Sequence, residues 1–184
     1  MKQIVIILLS VVFVGCISQK QTTQTIVSCS YNGKKNQTEY MVFPYGSVNI
    51  PGKWERTVYN RTARQQFFLN SDSITITISL GQSNKFEFNA DGSKKGYEFV
   101  KTFFNWESGY FAKTFNLAAQ EIESSEDNNY LIWRLYGNYN NSEYDTYFLS
   151  AERNGIFKNF AVMGTDKWTL EQKIDFLKQL YLQQ

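Results

Sequence analysis

Asn154-Gly155 lies between two apolar runs, residues 144–153 and 156–163, and constrains the fold more than any other pair in the chain. A two-residue hairpin turn of type I′ needs positive φ at both central positions, and Asn-Gly meets that need with little strain. The two runs are therefore predicted to pair antiparallel. Two further strand-like runs precede them, at 115–124 and 130–136. The polar stretch Ser125-Glu126-Asp127-Asn128-Asn129 and a loop over 137–142 separate the runs, so the four strands read as one meander. Upstream, residues 73–80 alternate Ile74, Ile76 and Ile78 with Thr75, Thr77 and Ser79, the period of a half-buried strand. Shorter strand signals fall at 40–43, 48–50 and 66–69, and 85–89 reads as a continuation of the sheet.

Residues 93–110 change period. Tyr97, Val100 and Phe104 recur at helical spacing, Phe99 and Phe103 widen the stripe, and Gly109 suits the helix end. A second helix is predicted over 169–182, where Thr169 and Gln172 form a capping box and Leu170, Ile174, Leu177 and Tyr181 share a face. Aromatic residues make up 17% of the chain, enough to fill a substantial core. The expected class is α+β: an antiparallel sheet of about six to seven strands, ending in a C-terminal meander, with helices packed on it.

The order of these elements resembles the PsbP-like family, which includes extrinsic photosystem oxygen-evolving subunits, a Ran-binding nuclear import factor and small bacterial lipoproteins. The resemblance rests on Ile50-Pro51-Gly52-Lys53-Trp54 ahead of the strand series, the central helix, the meander and the Leu-rich closing helix, and it spans 40–182. It implies an α/β/α sandwich and mostly non-catalytic, partner-binding roles. None of the family's functional residues matches a position in this sequence, so none is carried over.

The N-terminal stretch carries a different message. Lys2 is followed by an apolar core over 4–14, broken only by Ser10, and then by Gly15-Cys16. A membrane-crossing helix needs about 20 apolar residues, so this core reads as a secretory signal. Cys16 directly after a small residue resembles the lipobox of bacterial lipoproteins, with Phe13 where Leu is usual. That resemblance implies a diacylglycerol thioether and an N-acyl chain on Cys16, a membrane anchor of the stable, multi-chain kind. The alternative is plain cleavage near Gly15 with Cys16 disulfide-bonded to Cys29. Ile17 stands where enteric lipoproteins kept at the inner membrane carry Asp, and no acidic run follows. Both features favour an outer-membrane address facing the periplasm. The expected organisation is a signal peptide over 1–15, a lipidated Cys16 and flexible tether over 16–30, and a single domain over 31–184.

Several chemistries are excluded outright. The chain has no histidine, which removes Ser-His-Asp and Cys-His catalysis and imidazole-ligated metals. With Cys16 acylated, Cys29 is the only thiol left. Glu121 and Glu123 lie two apart on a predicted strand and so share a face; a paired-carboxylate hydrolase is conceivable there, but solvated surface is the stronger reading. Glu87, Asn89, Asp91 and Glu98, with Gly92, follow the spacing of a calcium loop. Lys94 and Lys95 oppose a cation there, so a strand-to-helix loop capped by Asp91 or Ser93 is preferred, and neither metal nor cofactor is predicted. Tyr136, Tyr139, Tyr144 and Tyr147 flank the 137–142 loop and are the candidate ligand or partner contacts. The net charge is +2, or +1 once Lys2 leaves with residues 1–15, and gives no basic face for nucleic acid. The sequence therefore points to a non-catalytic envelope protein that binds a protein partner, with a small-ligand or glycan-binding domain as the alternative.

Overall fold

The computed structural model describes residues 25–183. The signal over 1–15, the lipidation at Cys16 and most of the tether fall outside the described residues. Strand β1 (Ile26–Asn32) already takes in residues 26–30, which the sequence assigned to the tether. With β2 (Gln37–Phe43) and β3 (Gly46–Pro51) it forms a three-stranded antiparallel sheet.

The larger sheet has seven strands: β4 (Trp54–Asn60), β5 (Gln65–Asn70), β6 (Thr75–Gln82), β7 (Ala118–Ser125), β8 (Tyr130–Tyr139), β9 (Ser142–Arg153) and β10 (Ile156–Val162). Their order is β4-β5-β6-β10-β9-β8-β7, all antiparallel. Two meanders thus meet along β6 and β10, and helix α1 (Gly96–Phe115) forms most of the connection between them. Helix α2 (Leu170–Leu182) closes the chain. The class is α+β as expected, and the large sheet has seven strands, within the expected six to seven; the three-stranded sheet is additional to it. The two strands that the sequence did not signal, β1 and β4, leave nearly every residue exposed or half-exposed and so carry no apolar alternation.

The central strands β8, β9 and β10 are buried on both faces over most of their length and read as largely apolar runs; β6 is buried on both faces too, with Thr77 and Ser79 covered, although its alternation reads as half-buried. On one face, Leu131, Trp133, Leu135 and Phe148 pack against Phe99, Val100 and Phe103 of α1. On the other, Ile76, Ile78, Ile132, Leu149 and Phe160 meet α2 and the inner side of the small sheet, where Val48 and Ile50 are fully buried. One outer layer is therefore a helix, and the other is shared between a helix and a sheet. The turn at Pro51-Gly52 ties the sheets together: Thr38 Oγ1 donates to the Gly52 carbonyl at 2.9 Å and accepts from Trp54 N at 2.9 Å.

The predicted turns and ends are partly as expected. Asn154 and Gly155 have φ of 54° and 81°, as a type I′ hairpin requires. The predicted 137–142 loop shrinks to a second two-residue turn, Asn140-Asn141, both at positive φ. The predicted strand at 85–89 is instead a pair of 3₁₀ turns, Ser83–Lys85 and Glu87–Asn89. Helix α1 runs through Gly109 to Phe115; Asn116 caps it with its N–H on the Ala112 carbonyl at 3.1 Å, and its φ of 55° turns the chain so that Leu117 N reaches the Phe111 carbonyl at 3.4 Å. The Thr169–Gln172 capping box of α2 is present in both directions. The buried face of that helix is rotated from the expected one: Phe176, Leu177, Leu180 and Tyr181 are buried, while Leu170 is exposed. Among the described residues no helix is long and apolar enough to cross a membrane.

Candidate functional site

The two carboxylates placed on one face by simple alternation end up on opposite faces. A β-bulge at Ile122 sets Glu121 opposite Trp133 and Glu123 opposite Ile132, and those partners face different cores. Glu121 forms an ion pair with Lys101 of α1. Glu123 pairs with Lys178 of α2 at 2.9 Å and accepts from the Tyr130 hydroxyl at 2.6 Å. Burial pushes the Glu123 carboxyl up, but the Tyr130 and Lys178 contacts outweigh it and hold it below the usual carboxylate range. The expectation of a shared face is corrected, and the paired-acid geometry goes with it.

The calcium-like spacing also resolves into internal bonds. Glu87 accepts from Trp106 Nε1 at 2.7 Å, and Asp91 accepts from Ser93 N at 3.1 Å. Glu98 pairs with Lys94 at 2.9 Å. Asn89 is fully buried, donating to the Ser83 and Lys94 carbonyls and accepting from Lys94 N. Neither Asp91 nor Ser93 caps α1. The helix N-terminus is held by distant residues instead: Asn129 accepts from Tyr97 N at 2.9 Å and Glu152 accepts from Gly96 N.

The four tyrosines do not form one cluster. Tyr136 and Tyr147 lie on the α2 face with Arg134, whose guanidinium stands 4.7 Å from the Tyr136 ring centre and 5.5 Å from that of Tyr147. Tyr147 is buried, and Arg134 pairs with Asp145 at 2.6 Å. Tyr139 and Tyr144 lie on the α1 face. Tyr139 meets Phe115 edge-on at 5.0 Å, and Tyr144 packs partly into the α1 core. Burial raises the Tyr144 hydroxyl above its ordinary value, outweighing a hydrogen bond with Thr146 that lowers it, and the nearby Glu107 adds to the rise.

A better-formed site lies beside α1. The helix covers mainly β7, β8 and β9, and a cleft of about 320 Å³ opens where β6 and β10 emerge from beneath it. Ser79, Gly81, Phe157 and Asn159 make its floor. Phe103 and Trp106 of α1 and Phe86 between the two 3₁₀ turns make an aromatic wall, and Glu107 of α1 and Arg64 of the β4–β5 turn also line the cleft. The wall is rigid: Phe86 packs edge-on against Phe103 at 5.4 Å and against Phe157 at 4.9 Å, and Glu87 holds the Trp106 indole. The floor is ordered by a buried chain in which Trp133 Nε1 donates to Ser150 Oγ at 3.1 Å and Ser150 Oγ donates to Asn159 Oδ1 at 2.9 Å. Glu107 is half-buried, and desolvation pushes its carboxyl up to about 7. Among the described residues Lys85 and Arg64, both lining the cleft, have no carboxylate partner. A rigid aromatic wall, two cations and one reluctant acid suit a small apolar body carrying a negative group.

The cleft residues escape a motif search because they come from four separate segments. One signal was available: Glu107 continues the 99–103 step of the buried stripe by one more turn, an acid at an apolar position.

No family model matches this chain, and no curated protein matches it. Among solved structures it is similar to the solution structure of cyanobacterial PsbP (CyanoP) from Synechocystis sp. PCC 6803. The two share 13% sequence identity with a TM-score of 0.40, over 86% of this chain and 91% of that one. At this similarity no residue role passes from one to the other.

Proposed function

We propose that this is a non-catalytic binding protein of the bacterial cell envelope, held at the periplasmic side of the outer membrane by lipid on Cys16, with a small amphipathic anion as its ligand. The observation that carries the binding role is the cleft beside α1, where a preformed aromatic wall faces a polar floor and two unpaired cations. The lipobox-like ending at Cys16 supports the address, and the lack of histidine together with the split of Glu121 from Glu123 supports a role without catalysis. A protein partner is the second reading, favoured by Val58 and Tyr59, which are 69% and 50% exposed on the edge strand β4 next to the cleft-lining turn.

The full chain carrying Cys16→Ser, and so free of acyl groups, tests the binding reading with 2-naphthoate as probe. Saturable stabilisation against heat is expected, and it should be lost in Gly81→Leu. Gly81 lines the cleft, has ordinary φ, and has open space where a Cβ would stand, so leucine there fills the cleft without straining the backbone. No saturable response, or one untouched by Gly81→Leu, would remove the cleft as a binding site. Intact mass of the membrane-extracted protein tests the address: the mature chain should begin at Cys16 and carry acyl mass.

A further inference from the structure

The opposite face of the large sheet carries a second concavity, of about 410 Å³, between the end of α2, β3 and the β9–β10 hairpin. Arg153 ends β9 and Lys158 lies in β10, and the hairpin register turns both toward this face. They converge on one ring: the Arg153 guanidinium stands 5.8 Å and the Lys158 ammonium 6.0 Å from the centre of Tyr181. The ring itself is fixed, because its hydroxyl donates to the Asn128 carbonyl at 2.6 Å.

Among the described residues no carboxylate neutralises either cation. The adjacent Glu152 is turned to the other side of the sheet, where it accepts from Gly96 N and Gly155 N. Glu123 is committed to Lys178 and Tyr130. Lys158 is half-buried, and desolvation, followed by the charge of Arg153, lowers its affinity for a proton. Two like charges facing one concavity, one of them partly out of water, destabilise the empty site and are relieved by an anion. Ser47 and Asn49 of β3 add a hydroxyl and an amide to the rim, and the guanidinium offers the paired donors that suit a phosphate. The space exceeds that of a bare ion.

We propose that Arg153, Lys158 and Tyr181 form a binding site for the phosphate group of a phosphorylated small molecule or lipid headgroup. This site is separate from the cleft beside α1, and the seven-stranded sheet lies between them.

The test uses the full chain with Cys16→Ser, with inorganic phosphate, glycerol phosphate and dihexanoylphosphatidate below its micellar concentration as probes. Saturable shifts of the Arg153, Lys158 and Tyr181 amide resonances are expected. Arg153→Met and Lys158→Met should each weaken phosphate-group binding about tenfold or more, the loss expected when one of two charge-assisted contacts goes. Lys158→Arg should retain it. Lys158→Met should also melt higher than the wild type without ligand, which a purely structural lysine would not do. A response to inorganic phosphate and glycerol phosphate assigns a free phosphorylated ligand, and a response to the phosphatidate alone assigns a headgroup. No saturable response to any probe, or full binding in both methionine variants, overturns the site. The 2-naphthoate response should be unchanged in these variants, so failure here is distinguishable from failure of the cleft.

Discussion

Glu107 offers the sharpest quantitative test, because its environment makes folding depend on pH in a window where few other groups titrate. Desolvation moves its carboxyl from an ordinary value of 4.5 to about 7 in the folded chain. Between those values the unfolded chain has released the proton and the folded chain still holds it. Stability therefore falls as pH rises through the window, is intact below the lower value and levels off above the upper one. Each tenfold change in proton affinity corresponds to about 1.4 kcal/mol, giving about 3 kcal/mol in total, and the solvent that reaches a half-buried side chain reduces this to about 2 kcal/mol. Glu107→Gln keeps the shape and removes the titration. At pH 8 the variant should be more stable than the wild type by about 2 kcal/mol, and at pH 4 the two should agree within about 0.5 kcal/mol. Urea unfolding of both proteins from pH 4 to 8.5, with linear extrapolation, reads the difference directly. Glu39, Asp91 and Glu123, whose carboxyls are held low, lose their stabilisation only as pH falls, and they contribute equally to both proteins. Parallel stability curves across the window, or a wild type more stable than the variant at pH 8, would refute the desolvated carboxyl.

Three other perturbations probe the frame around the site. Ser150→Ala should cost about 2–4 kcal/mol in urea unfolding, since it strands both the Trp133 indole N–H and the Asn159 carbonyl oxygen in the core. Thr169→Ala removes the side-chain acceptor for Gln172 N, and a loss of about 1 kcal/mol is expected in the same assay. For Glu121→Gln and Glu123→Gln, a double-mutant cycle in stability should return a coupling below about 0.5 kcal/mol. A large coupling would mean that the bulge at Ile122 does not separate them.

How far the sequence speaks for the structure depends on whether the deciding forces are local. The Asn154-Gly155 turn, the Thr169–Gln172 box and the alternation of Ile74, Ile76 and Ile78 are local, and the structure carries each of them. Glu121 and Glu123 show the limit of counting by twos: a single bulged residue reverses the face, and nothing in Ile122 announces it. The start of α1 shows another, because its free N–H groups are satisfied by Asn129 and Glu152, residues 32 and 56 positions away. Tyr136 and Tyr139 sit close in sequence, yet they belong to opposite faces. The cleft draws on the β4–β5 turn, β6, the 3₁₀ region, α1 and β10, so its composition exists only after the sheet has formed. Within it, only Glu107 left a trace, as an acid on an apolar stripe.

The most direct test of the binding account is an amide-resonance map of the full chain with Cys16→Ser during titration with 2-naphthoate. The account predicts saturable shifts concentrated at Gly81, Lys85, Phe103, Trp106, Glu107 and Asn159, absent in Gly81→Leu. Shifts scattered over the surface without saturation, or centred on the tyrosines of the β8–β9 hairpin, would contradict it.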